Sequence, residues 1–166
     1  MIFVRPMLVS AVALLCGACA GEADPAAGVV NVAFPSIAAA VASENVTLMV
    51  FDVPQETPAA SFCTTLVQQT KSGQALPPRV TESAPKPVCD LQAGSADITV
   101  GFGDKAVLAI ANRGGKPYLV GCALQNIGDG DAPVTVSMGL VSTSTSVPAT
   151  NCLLLSDFCS KKCGSI

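Results

Sequence analysis

Eight cysteines and no histidine set the chemistry open to this 166-residue chain. Six of them, Cys63, Cys89, Cys122, Cys152, Cys159 and Cys163, follow the first sixty residues, and two, Cys16 and Cys19, lie near the amino end. An even set of cysteines can pair as disulfides or ligate a metal as thiolates. Cys152, Cys159 and Cys163 do cluster, but these six cysteines hold no C-x-x-C pair and the chain has no histidine to complete a zinc set. Three disulfides are therefore the expectation, with the metal set as the alternative and no metal expected. As a working guess, Cys63 pairs with Cys89, Cys122 with Cys152, and Cys159 with Cys163 as a local clip. The first of these would close a loop of about 27 residues and contribute roughly 3 to 4 kcal/mol.

The remaining candidates for chemistry are weaker. Gly101-Phe102-Gly103-Asp104-Lys105-Ala106 matches the G-x-G-x-x-A string that lets backbone amides approach a pyrophosphate, but that string must open a helix. Here Val107 to Ile110 reads as strand, so a turn between strands is expected and no cofactor. Ser83-x-x-Lys86 fits the bare pattern of a Ser/Lys acyl-transfer pair, which works only when a helix stacks the two side chains. Pro85 and Pro87 forbid that helix. No G-x-S-x-G elbow exists, and the absence of histidine removes the commonest general base. Asn126, Asp129 and Asp131 could offer oxygens to Ca²⁺ or to a small ligand, yet the later acidic residue of a complete loop is missing. Gly128-Asp129-Gly130-Asp131 is more simply turn chemistry. The expectation is a protein that is not an enzyme.

The amino end supplies the context for the cysteines. Arg5 precedes an uncharged run from Pro6 to Ala20, followed by small residues and the first acids, Glu22 and Asp24. That is the layout of a secretory signal, too short for a stable span. Cleavage can be placed in two ways. Leu15-Cys16-Gly17-Ala18-Cys19 resembles a lipobox, although Cys16 replaces the usual Leu; the cut would fall before Cys19, whose thiol would carry the lipid. Alternatively, Ala18-Cys19-Ala20 satisfies the small-x-small rule for cleavage after Ala20. Lipidation of Cys19 is favoured because a Gly/Ala/Pro tether follows it. The division expected is a signal at 1–18, a tether at 19–28 and one domain at 29–166. The roughly 148 residues that follow the signal are one domain's worth. Ala20 after the anchor resembles outer-membrane sorting.

Composition narrows the partners. The net charge is −3, with no run of Lys or Arg, so no footprint for nucleic acid or anionic lipid is legible. Half the chain is apolar, but aromatics make up 4% and Trp is absent, which suits thin packed sheets better than a deep aromatic cleft.

Positioning of these residues falls to a series of strands and one helix. Val29 to Phe34 reads as a strand stopped by Pro35; Ser36 to Ser43 as one helical turn. Val46 to Val53 is β-branched and apolar on both faces, the pattern of a central strand. Thr57-Pro58 opens a helix over Pro58 to Lys71, with a hydroxyl cap and a Gly73 stop. Pro77, Pro78, Pro85 and Pro87 mark an extended surface connection ending at Cys89. Ile98 to Phe102, Ala106 to Ala111 and Tyr118 to Leu124 read as strands, with a hairpin turn at Asn112 to Lys116. Val134, Val136, Met138 and Leu140 alternate with small and polar residues as in a half-buried strand. The fold class expected is mostly β: an antiparallel β-sandwich with one short helix inserted, stapled by disulfides.

The stretches FPSIAAAVA (Phe34 to Ala42), VFDVP (Val50 to Pro54), SGQALPP (Ser72 to Pro78), YLVGC (Tyr118 to Cys122), GDGDAPV (Gly128 to Val134) and SDFCSKKC (Ser156 to Cys163) resemble a group of uncharacterised predicted bacterial cell-envelope lipoproteins. More loosely, a strand ending in Gly-Cys before a turn and a last alternating strand resembles transthyretin-like and carboxypeptidase-regulatory-like sandwiches. The resemblance implies a fold and an envelope location, with no catalytic role carried over. It leads to an expected exported lipoprotein, held to the membrane by its amino-terminal lipid, whose domain contacts another envelope protein or a surface polymer. The alternatives are a small-ligand or glycan binder using the loops around Asn112 to Lys116 and Asn126 to Asp131, and a hydrolase.

Overall fold

A computed structural model describes residues 26–93, 96–128 and 133–164. Along the chain run β1 (Ala26–Ala33), α1 (Ile37–Val41), β2 (Asn45–Asp52), α2 (Ala59–Ser72), β3 (Thr81–Glu82), β4 (Lys86–Pro87) and α3 (Val88–Ala93). Then follow β5 (Ala96–Val100), β6 (Gly103–Arg113), β7 (Lys116–Ile127), β8 (Val134–Ser137), β9 (Gly139–Leu140) and α4 (Leu155–Cys159). The expected signal segment and Cys19 lie outside the described residues. β1 begins at Ala26, three residues inside the expected tether, because Ala26, Ala27 and Gly28 pair with Val100, Thr99 and Ile98.

The long hairpin β6–β7 is the spine. Gly114 and Gly115 form its turn with φ of 58° and 70°. Positive φ at both central residues gives a twist that matches the flanking strands. β2 pairs with β6 along its whole length, from Asn45↔Asn112 to Asp52↔Lys105, and β3, β4 and β9 complete a six-stranded sheet. A second sheet has the order β5-β1-β8. Pairings among the described residues are antiparallel except β1 with β8, which is parallel, a departure from the all-antiparallel expectation. Parallel neighbours need a long connection rather than a hairpin, and no local turn signal announces one.

β2 has the two-sided burial its sequence predicts. Val46, Leu48 and Val50 join Val107, Ala109 and Leu119 in a cluster that also holds Val30, Ile98, Val134 and Val136 of the smaller sheet. Phe51 points the other way, with Ala106, Leu108, Ile110 and Val120, onto Cys63 and Leu66 of α2. Phe51 and Phe62 meet edge to face with centroids 6.5 Å apart. Where β7 approaches β8, Gly121 leaves no room for a side chain: a Cβ there would lie 2.2 Å from the Ser137 carbonyl oxygen.

The helices differ in part from expectation. α2 starts one residue later than predicted, its N-cap is Pro58 with no side-chain cap, and Gly73 ends it at φ 66°. α1 is the predicted turn, capped by Ser36, whose hydroxyl accepts from the Ala39 N–H at 3.1 Å. α3 and α4 were not legible, being too short for a 3.6-residue period to register. The Pro-rich connection also does more than cross the surface. Val80 and Ser83 N–H groups donate to the Val50 and Leu48 carbonyls, making an edge on which proline is tolerated.

Candidate functional site

Each of the six cysteines after residue 60 is bridged: Cys63–Cys122, Cys89–Cys159 and Cys152–Cys163, with Cα separations of 5.6, 5.4 and 5.3 Å. These separations fall within the range that a disulfide spans without moving backbone. All three guessed pairings are therefore corrected. Cys63 faces the sheet from α2 and packs in the same cluster as Cys122 of β7, so sheet topology rather than sequence proximity selects its partner. Cys89 lies on α3, which contacts α4, the helix carrying Cys159. Cys152 and Cys163 close the base of the carboxy-terminal segment, and none of these six cysteines is left as a thiolate for the metal alternative. The staples are consistent with an extracytoplasmic location.

At the hairpin tip, the Gly114 N–H donates to Glu44 Oε1 at 2.8 Å and Asn112 Nδ2 donates to Asn45 Oδ1 at 3.1 Å. The Arg113 guanidinium lies 5.6 Å from the centre of the Tyr118 ring, within cation–π range. Between this tip, α1 and the stretch 148–150 is a cleft of about 380 Å³, lined by Val41, Ala42, Glu44, Arg113, Pro148 and Thr150. Aliphatic side chains line it together with one guanidinium, one carboxylate and the Thr150 hydroxyl. Neither Glu44 nor Thr150 was singled out in the sequence, since only the fold brings them beside Arg113.

Asn126 stands at the far end of the same hairpin. Its Nδ2 donates to Asp104 Oδ1 at 2.7 Å across the strand pair, beside a shallow recess of about 120 Å³ that Val53, Lys105 and Gln125 also line. Lys105, 8% exposed, directs its ammonium to Asp52. Asp129 and Asp131 lie outside the described residues. The Asn126 rung is about nine residues along β6 from the Arg113 rung, roughly 30 Å. Arg113 and Asn126 thus occupy opposite ends of the spine.

The other motifs resolve as structure. Ser83 Oγ accepts the Leu48 N–H at 3.0 Å, tying down the edge of the sheet, and Lys86 lies in β4 opposite Val46. Gly101 and Phe102 turn the chain between β5 and β6, with strand rather than helix following. Among the described residues no group of three His, Cys, Asp or Glu is placed to hold a metal ion. No described helix is long and apolar enough to cross a membrane. Comparison with family models, curated proteins and solved structures gives no match.

Proposed function

We propose that this protein is an exported lipoprotein, anchored in the bacterial envelope through an acylated Cys19 and facing the periplasm or the cell surface from the outer membrane. Its β-sandwich domain serves in interaction rather than catalysis. The observation that carries the reading is the set of three disulfides that uses each cysteine after residue 60. Such staples persist where thiols are oxidised and not in a glutathione-reduced cytosol. The run from Arg5 through the lipobox-like Leu15 to Cys19 supplies a route to that compartment and a lipid attachment point. The apolar faces of the two sheets contribute to one shared cluster, which supports a sandwich arrangement.

Expression in a bacterial host fed an alkyne-tagged fatty acid tests the reading. The expected result is a tagged, membrane-associated protein whose label disappears in Cys19→Ser. An unlabelled protein beginning at Met1 or after Ala20 would refute the anchor.

A second reading, a small-ligand or glycan binder, is supported by the cleft beside Arg113 and Glu44. Saturable shifts of the Val41 and Ala42 methyl resonances with a sugar or carboxylate panel, lost in Arg113→Ala, would favour it over a purely protein-contacting domain.

A further inference from the structure

Leu153, Leu154 and Leu155 are consecutive, but only Leu155 packs against the core. Leu153 is 85% exposed and Leu154 57%. The other large exposed apolar residues among those described, Val80, Leu124 and Val147, are not adjacent in sequence and are ordinary surface. A neighbouring pair of solvent-facing leucines calls for an occupant.

The segment presenting this pair is rigid. Cys152–Cys163 closes its base, and Cys89–Cys159 ties its helix to α3. Below the bridge, Thr150 Oγ1 donates to the Gly164 carbonyl at 2.9 Å and the Gly164 N–H donates to Asn151 Oδ1 at 2.9 Å. After α4 the chain reverses at Lys161, a non-glycine residue at φ 59°, a conformation unfavourable for lysine and kept by its surroundings. The Lys161 and Lys162 N–H groups donate to the Phe158 and Asp157 carbonyls. The reversal returns the backbone through Lys162 to Cys163, which the bridge holds with its Cα 5.3 Å from that of Cys152, next to Leu153. The loop's charged side chains are Asp157, Lys161 and Lys162, with Lys162 Nζ 4.0 Å from Asp157 Oδ1.

We propose that the Cys152–Cys163 loop is a membrane-contact loop, inserting Leu153 and Leu154 among the acyl chains of an anionic lipid surface while Lys161 and Lys162 meet headgroup phosphates. A side chain that is 85% exposed is a protrusion. A protein partner would need a recess shaped to it and about 1,000 Å² of surrounding interface, whereas a bilayer accepts an aliphatic tip of any shape. Although the whole chain carries a net charge of −3 and no basic run, the loop taken by itself is slightly positive, so the leucines supply the affinity and the lysines the orientation and a local preference for anionic lipid. The clamped backbone removes the cost of ordering the loop on contact. This contact does not depend on acylation of Cys19, and the test separates the two.

The chain contains no Trp, so Leu153→Trp in the full-length native protein places one indole at the tip. The protein is incorporated into vesicles of phosphatidylethanolamine and phosphatidylglycerol, with or without lipids brominated in the acyl chains. The expected result is blue-shifted emission quenched by the bromolipid, with apparent loop affinity falling about tenfold on adding Leu154→Ser. Replacing both lysines with glutamine should lower it about fivefold or more, on anionic vesicles only. Emission that stays unshifted and open to acrylamide in vesicle-bound protein overturns the loop while leaving a Cys19 anchor intact. Blue-shifted emission that bromolipid does not quench also overturns it, since the tip then packs on protein. In the Cys19→Ser background, residual flotation lost on adding Leu153→Ser supports the loop, and complete absence of flotation overturns it.

Discussion

Replacing Gly121 with alanine tests how closely the two sheets approach. The added Cβ would lie 2.2 Å from the Ser137 carbonyl oxygen, 2.8 Å from its carbon and 3.0 Å from the Met138 Cα. All three are backbone atoms of β8 or its end, so no rotamer change relieves the clash. Restoring an ordinary contact near 3.4 Å requires β8 to retreat from β7 by about 1 Å, which forfeits roughly a quarter to a half of each dispersion contact across the gap. The side chains that lose most are Val134, Val136 and Met138, all buried. Overpacking typically costs about 1 to 3 kcal/mol, and a clash with backbone belongs at the upper end. We expect a loss of about 3 kcal/mol and a fall in Tm of about 10 °C. Urea and thermal unfolding with disulfides intact, followed by circular dichroism, measure it. Gly139→Ala is the control, because a Cβ there meets nothing within 4 Å. Equal stability of the two variants would refute the close approach of β7 to β8.

Three further predictions rest on separate contacts. Removing the bridges in pairs should cost stability in order of the loop each closes: about 4 kcal/mol for the Cys63–Cys122 and Cys89–Cys159 pairs and about 3 kcal/mol for Cys152–Cys163, measured by urea unfolding of double serine variants. Lys105 is buried and its partner Asp52 is 68% exposed on its side chain, so losing either partner has unequal effects. Asp52→Ala should cost about 1 to 2 kcal/mol by leaving a buried ammonium unpaired, whereas Lys105→Met should cost less than about 1 kcal/mol; equal losses would contradict the burial asymmetry. Gly114→Ala and Gly115→Ala should each cost about 1 kcal/mol because both positions hold positive φ, with Asn tolerated better than Ala in the same unfolding assay.

What was legible in the sequence was whatever local chemistry determines. The β-branched run at Val46 to Val53 marked β2 and its two buried faces, the glycines at 114 and 115 marked the hairpin, and Gly73 marked the end of α2. Alternation from Val134 to Leu140 read as one strand, but only Val134–Ser137 forms β8 beside β1, and Gly139–Leu140 leaves it as β9 to pair with β7 in the larger sheet. What depends on tertiary proximity was hidden. The disulfide partners stand 59, 70 and 11 residues apart; Cys63 meets Cys122 only once β7 lies beneath α2, and Cys89 meets Cys159 only through the α3–α4 contact, which leaves Cys152 to pair with Cys163. The parallel pairing of β1 with β8 leaves no turn signature, and the proline stretch became a sheet edge because its free N–H groups at Val80 and Ser83 found β2. Arg113 and Asn126, each in a loop named as a candidate for ligand binding, are separated by the length of β6.

Three disulfides form the covalent frame of the domain. Peptide mapping by mass spectrometry, on native protein alkylated without reductant, reads that frame directly. The expected result is crosslinked peptides joining Cys63 to Cys122, Cys89 to Cys159 and Cys152 to Cys163, with no alkylated thiol among them. Six alkylated cysteines, or crosslinks in another pattern, would contradict it.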